Sequence, residues 1–303
     1  MLSASCAFFC LTDGMKQSPT IGLIGCGLMG KAMASRLIAG GAQVWGYDPQ
    51  GVEGEGIEVC ASLADLAGVC EWILYSLPNS KVALEVTDEL LPHLTPKHAV
   101  ADTTTGQPQE MEAMARTLGA HHIVYLEANV AGSSELLAQG KATLFLGGDQ
   151  ATLDRWDPIL ALLCEHRRVI GMVGAASRFK LVHNLMIGLH RAALAEGLHF
   201  ASTMGFDPKE ALAILKQTPA CSEVMHLKGK RMVERAYEPP QARLSQHLKD
   251  VELMLQMGSE QGVELPLSQV HRMLLLKAQA LGLGEADNSA IAEVYRPSKD
   301  PKG

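Results

Sequence analysis

Two groups of residues in this chain have the types and the spacing to do chemistry. The first is Gly25-Cys26-Gly27-Leu28-Met29-Gly30, with Asp48 downstream. Gly25 permits a tight turn, Gly27 lets the backbone approach a pyrophosphate, and Gly30 lets a helix pack on the preceding strand. The start of that helix offers free N–H groups and the positive end of its dipole. The second group is Lys180, His183 and Asn184, at i, i+3 and i+4, a spacing that predicts one shared helix face. A lysine buried there would have a lowered pKa and could both give and take a proton. A solvated polar face has the same spacing, and spacing alone does not separate the two.

The elements that must position these groups follow from periodicity. Thr20 to Ile24 is a short apolar run leading straight into the glycines. Ala32, Met33, Leu37 and Ile38 then recur at helical spacing until Gly40-Gly41. Gln43 to Tyr47 reads as a second strand and ends at Asp48-Pro49, closing one strand–helix–strand unit of about 30 residues. Asp48 therefore falls where an acid binding a ribose belongs, and no Arg follows it to welcome a 2′-phosphate, which favours NAD over NADP. Further strands are predicted at Trp72 to Leu77, Ala99 to Asp102, Ile123 to Leu126, Thr143 to Leu146 and Arg168 to Met172. Strands alternating with helices predict a doubly wound, mostly parallel sheet.

After Gly174 the pattern changes class. Phe179, Val182, Met186, Leu189 and Ala193 predict one long helix over Ser177 to Met204, apolar on nearly every side and so largely buried. The segments Lys209–Lys216, Ser222–Ala236, Leu244–Gln261 and Pro266–Leu281 are helical as well. The expected division is an α/β Rossmann domain over 15–174 and an all-helical substrate and dimerisation domain over 175–303. Residues 1–14 read as a disordered extension or a mis-set start, with a weak targeting function as the alternative.

Composition narrows the function classes. The chain has 303 residues, 47% hydrophobic and 19% charged, ordinary for a globular protein large enough for two cores. A net charge of −7 with no basic stripe argues against a nucleic-acid surface. No run reaches the roughly 18 apolar residues of a membrane-spanning helix. Seven scattered cysteines, without a Cys-x-x-Cys pair, point to a reducing cytoplasm and to neither a disulfide framework nor a metal site. Cys26 is read as a small space-filler rather than a reactive thiol.

With these features in place, the sequence resembles the β-hydroxyacid dehydrogenase family, which includes 3-hydroxyisobutyrate dehydrogenase, tartronate semialdehyde reductase and the phosphogluconate dehydrogenases. The resemblance runs from Thr20 through nearly the whole chain. Ile21 to Gly30 resembles the family's opening signature, and Ser76-Leu77-Pro78-Asn79 its leucine–proline cofactor turn. Asp102-Thr103-Thr104-Thr105 with Pro108 resembles its Asp-Ser-Ser-Thr segment, Gly174 to Lys180 with His183-Asn184 its catalytic helix, Lys249-Asp250 its C-terminal Lys-Asp pair, and Asp287 to Ala290 a segment near its C-terminus.

The resemblance implies roles. Lys180 is the acid/base. Gly25, Cys26, Gly27, Leu28, Met29, Gly30, Asp48, Leu77, Pro78, Thr105 and Lys249 bind cofactor. Ala131, Gly132, Ser133, His183 and Asn184 line the substrate. The implied reaction is hydride transfer between NAD and a small 3-hydroxy carboxylate or the matching semialdehyde, in a homodimer or homotetramer. Departures lie where substrate binds. Glu127-Ala128-Asn129-Val130-Ala131-Gly132-Ser133 stands for the family's Asp-Ala-Pro-Val-Ser-Gly-Gly, so the hydroxyl expected at 131 is missing and Ser133 is its candidate replacement. Ala176 replaces a glycine. His183 resembles the phosphogluconate enzymes, yet Ile187 and Gly188 replace their Glu and Tyr and cannot serve a phosphosugar. Other readings are a sugar-acid dehydrogenase, a carbonyl or imine reductase, or a non-catalytic dinucleotide-binding module; the imine reductase and the module are expected to lack the lysine that this chain keeps.

Overall fold

A computed structural model describes residues 18–296; the expectation for 1–14 lies outside them. The first half alternates as anticipated: β1 (Thr20–Ile24), α1 (Leu28–Ala39), β2 (Gln43–Tyr47), β3 (Ile57–Val59), α2 (Leu63–Val69), β4 (Trp72–Tyr75), α3 (Ser80–Leu90), β5 (Ala99–Asp102), α4 (Pro108–Ala120), β6 (Val124–Ala131), α5 (Ser134–Ala138), β7 (Thr143–Gly147), α6 (Gln150–Leu163) and β8 (His166–Gly171). The strands form one sheet in the order β3-β2-β1-β4-β5-β6-β7-β8. Strand β3, only three residues long, carries too little pattern to be read from sequence.

All pairings are parallel except β6 with β7, which is antiparallel. A parallel return needs a crossover of roughly a dozen residues or more, usually through a helix. Between Ala131 and Thr143 the chain has only a turn and the five-residue α5, so β7 doubles back. Strand β6 also runs on to Ala131, five residues past its expected end, because Glu127 to Ala131 pair with Gly147 to Thr143. Two apolar layers sandwich the sheet. Met33, Leu37, Trp156 and Leu160 pack on one face; Leu66, Met111, Met114 and Leu118 pack on the other.

From Ala175 onward every regular element among the described residues is helical: α7 (Ala175–Thr203), α8 (Pro208–Leu215), α9 (Glu223–Glu234), α10 (Leu244–Glu260), α11 (Pro266–Ala280) and a 3-10 segment, Asn288–Tyr295. Their core gathers Leu194, Leu198, Val251, Met254, Leu275 and Ile291. One expectation is corrected here. Helix α7 is not buried on every side: Phe179, Val182 and Met186 are 44%, 56% and 49% exposed, forming an open apolar stripe along its first turns.

Candidate active site

The glycine turn lies between β1 and α1. Gly25 has φ +93°, and a Cβ there would strike the Ser76 carbonyl; a Cβ on Gly30 would strike the Gly25 carbonyl. Only glycine fits either place. Gly27 faces open space, with nothing within 4 Å of a Cβ built on it. Helix α1 starts there with no side-chain cap and no acid in its first turn. Uncapped N–H groups facing open space fit a dinucleotide pyrophosphate. Asp48 sits against the same turn: Oδ2 accepts from Cys26 N at 2.8 Å and Oδ1 from Gln50 N at 2.9 Å. Cys26 is buried, and burial first, then the Asp48 charge, pushes its thiol up to about 11. Such a thiol fills space and does not react at neutral pH.

Leu77, Pro78 and Thr105 stand at the ends of the neighbouring strands. Leu77 N donates to Thr104 Oγ1 at 3.3 Å, joining the β4 and β5 turns. Across from them, α10 presents Lys249, whose Nζ donates to the carbonyls of Thr105 (2.8 Å) and Pro78 (3.1 Å). Gln246 adds a bond to the Pro78 carbonyl at 2.9 Å. The helical part is thus tied to the two turns that the sequence marked as cofactor turns.

The start of α7 is held by the sheet. Buried Glu127 on β6 accepts from Gly174 N and from Ser177 Oγ, each at 2.6 Å. A carboxylate at a helix N-terminus is favoured by the dipole and satisfies donors that lack a partner within the helix. Asn129, two residues on and on the same strand face, donates to the Thr104 carbonyl at 2.6 Å. Behind it, Asp102 accepts from Thr104 N (2.8 Å) and Tyr125 Oη (3.1 Å). Burial raises Glu127 to about 7, against the opposing pull of Ser177 and Gly174; burial likewise raises Asp102 to about 6.

Lys180 lies one turn past Ser177 and is 7% exposed. Burial lowers its amine to about 8; Asp250 partly offsets this through charge, and Lys249 adds to it. The three polar residues of this helix divide their neighbours more than the shared-face reading implied. Asn184 donates to Asp250 Oδ2 at 2.8 Å, crossing to α10. His183 turns towards the sheet, its ring edge-on to Phe145 with centroids 5.5 Å apart, and its Nδ1 lies 3.2 Å from Asn184 Oδ1. Burial and the Lys180 charge lower His183 to about 4, so it is neutral at physiological pH.

The loop after β6 begins at Ala131, buried against Phe145 and Ala176. Gly132 follows at φ +150°, a value that favours glycine. Ser133 caps α5, its hydroxyl accepting from Leu136 N at 3.3 Å, while Ser134 donates to the Gln241 carbonyl at 3.4 Å. The sequence motifs contain Glu127, Asn129, Ser177 and Asp250 but gave none of them a role. The available signal was a Glu and an Asn inside an otherwise apolar strand, where buried polar groups require partners.

A glycine-cradled dinucleotide turn, a Rossmann sheet and a buried lysine on a long helix define a two-part nicotinamide-dependent oxidoreductase. The comparisons agree. Residues 20–174 match the family model for the NAD binding domain of 6-phosphogluconate dehydrogenase, and residues 174–295 match that for the NAD-binding of NADP-dependent 3-hydroxyisobutyrate dehydrogenase. The chain belongs to the β-hydroxyacid dehydrogenase family. It is 27% identical to 2-(hydroxymethyl)glutarate dehydrogenase of Eubacterium barkeri, over 93% of this chain and 96% of that one. It is 25% identical to 2-hydroxy-3-oxopropionate reductase of Escherichia coli, over 90% and 96% respectively. The crystal structure of 3-hydroxyisobutyrate dehydrogenase from Salmonella typhimurium superposes with a TM-score of 0.82 at 25% identity, covering 91% of this chain and all of that one.

Proposed function

We propose that this enzyme interconverts a small 3-hydroxy carboxylate and its semialdehyde or keto acid, with Lys180 as the acid/base. The observation that carries the reading is Lys180 itself: a buried amine lowered to about 8 and held only at a distance by Asp250. A group poised near the working pH is the most effective proton carrier. Bound over the glycine turn, a nicotinamide dinucleotide supplies the hydride acceptor or donor. Lys180 Nζ takes the hydroxyl proton in oxidation and returns it in reduction. Asn184, fixed by Asp250, orients the substrate oxygen, with neutral His183 beside it. The backbone of Gly132 and Ser133, flanked by Ala131, receives the carboxylate. Gly25, Cys26, Gly27, Leu28, Met29, Gly30, Leu77, Pro78 and Thr105 hold the cofactor, with Lys249 closing over it and Asp48 selecting NAD. The names of two relatives, 2-(hydroxymethyl)glutarate dehydrogenase and 2-hydroxy-3-oxopropionate reductase, support the same substrate class.

In this reading the two parts divide at residue 174, as 15–174 and 175–303, and the protein works in the cytoplasm. The five described cysteines are unpaired, and no described helix is long and apolar enough to cross a membrane. The open stripe of Phe179, Val182 and Met186 supports a homodimer or homotetramer, which light scattering after gel filtration tests directly.

The decisive experiment is Lys180→Ala. General acid–base assistance is worth about 10²–10⁴ in rate, and kcat should fall by that much while NADH affinity stays near wild type. Lys180→Arg should not rescue it, since guanidinium holds its proton at neutral pH. Near wild-type turnover in Lys180→Ala would remove the lysine from the chemistry.

A further inference from the structure

Arg191 stands on α7 eleven residues past Lys180, about three turns along the same face, and is 2% exposed. Its Nε and Nη2 are sealed from solvent and have no hydrogen-bond partner among the described residues. These two adjacent N–H groups form the side-on fork that matches the two oxygens of a carboxylate. The nearby acids are engaged elsewhere. Asp287 pairs with Lys228 at 2.8 Å and accepts from Ser289, while Asp250 Oδ2 accepts from Asn184 and its Oδ1, which makes no hydrogen bond, lies 3.1 Å from Lys249 Nζ. Both act on Arg191 through charge, without a hydrogen bond to it.

One turn before Arg191, Gly188 brings two histidines onto the same ground. A Cβ on Gly188 would lie 2.5 Å from His247 Nε2 and 2.6 Å from His271 Cε1. The rings are 5.1 Å apart, both residues are buried, and the Nε2 of each has no partner. Burial and the Arg191 charge keep both rings neutral, so each retains one N–H to donate. A buried guanidinium with its fork unpartnered, whose charge reaches two neutral imidazoles, is a donor set suited to an anion, since Asp287 and Asp250 act on it through charge but make no hydrogen bond to it.

We propose that Arg191, His247 and His271 form an internal binding site for a small carboxylate, separate from the pocket at Lys180. The Asn184–Asp250 bond stands between the two, one turn nearer Lys180 on both α7 and α10. The test uses formate as the probe on the full chain. Sodium formate, compared with sodium chloride at matched ionic strength, should raise the unfolding temperature saturably by about 2–4 °C. Arg191→Met replaces the buried cation with an apolar side chain of similar length; it should lose the formate response and keep wild-type turnover. Equal responses to both salts, or an unchanged formate response in Arg191→Met, would overturn the proposal. Crystals grown in formate give an independent reading should the variant not fold. Planar density bridging Nε and Nη2 supports the site, and a lone water there sinks it.

Discussion

Glu127 Oε2 lies 2.6 Å from the backbone nitrogen of Gly174, so a carboxylate from the sheet holds the first turn of the helix that carries Lys180. The contact makes a pH prediction. The folded-state pKa of Glu127 is raised from 4.5 to about 7, so between those values the folded chain binds more protons than the unfolded one. Stability must therefore fall as pH rises through that window. Glu127→Gln keeps the shape and removes the titration. Measured by denaturant unfolding, the variant should gain about 1–3 kcal/mol relative to wild type between pH 5 and pH 8. An equal difference at both pH values would show that Glu127 does not titrate there.

The activity of Lys180 should carry its own pH signature. With the amine lowered to about 8, the neutral form needed for oxidation accumulates as pH rises towards that value. The logarithm of kcat/KM for oxidation should climb with a slope near one, bend at about 8, and level off above it. A bend that stays put in Lys180→Ala would belong to another group.

In the proposed function cofactor choice rests on Asp48, fixed beside the glycine turn by Cys26 N and Gln50 N. Bringing a 2′-phosphate against a fixed carboxylate costs on the order of 1–3 kcal/mol. NAD should accordingly be preferred over NADP by at least about tenfold in kcat/KM. Equal use of the two would refute the role given to Asp48.

Ser133 has two tasks to separate. Its hydroxyl caps α5, and loss of a cap costs about 1 kcal/mol of stability. If it also meets the substrate carboxylate, Ser133→Ala should raise KM by the equivalent of roughly 1–2 kcal/mol with kcat little changed. Ala131→Ser should then improve turnover of 3-hydroxyisobutyrate-like acids. Destabilisation without any change in KM would leave Ser133 as a cap alone.

Lys249 is the bridge between the helical part and the turns at Pro78 and Thr105. Lys249→Met removes both bonds and keeps most of the apolar stem. Cofactor KM should rise about threefold to thirtyfold, with thermal stability nearly unchanged because the side chain is partly exposed. Unaltered cofactor kinetics would reduce the contact to a surface tie.

The sequence by itself determined the Rossmann alternation, the glycine turn with Asp48, the change to helices after Gly174, and the lysine to examine. All of these are written in local periodicity and in residues with one steric use, such as Gly25 at φ +93°. Tertiary structure decided what depends on elements meeting at a distance. The antiparallel β7 followed from a connection too short for a crossover, and the open stripe at Phe179, Val182 and Met186 from which faces of α7 found partners. Likewise, Glu127 gained its role only because the middle of β6 brings its carboxylate to Gly174 N, and Asn184 because α10 brings Asp250 within 2.8 Å. A side chain's type is legible in the chain, but its partner is set by packing, and buried polar groups take their pKa and their task from that partner.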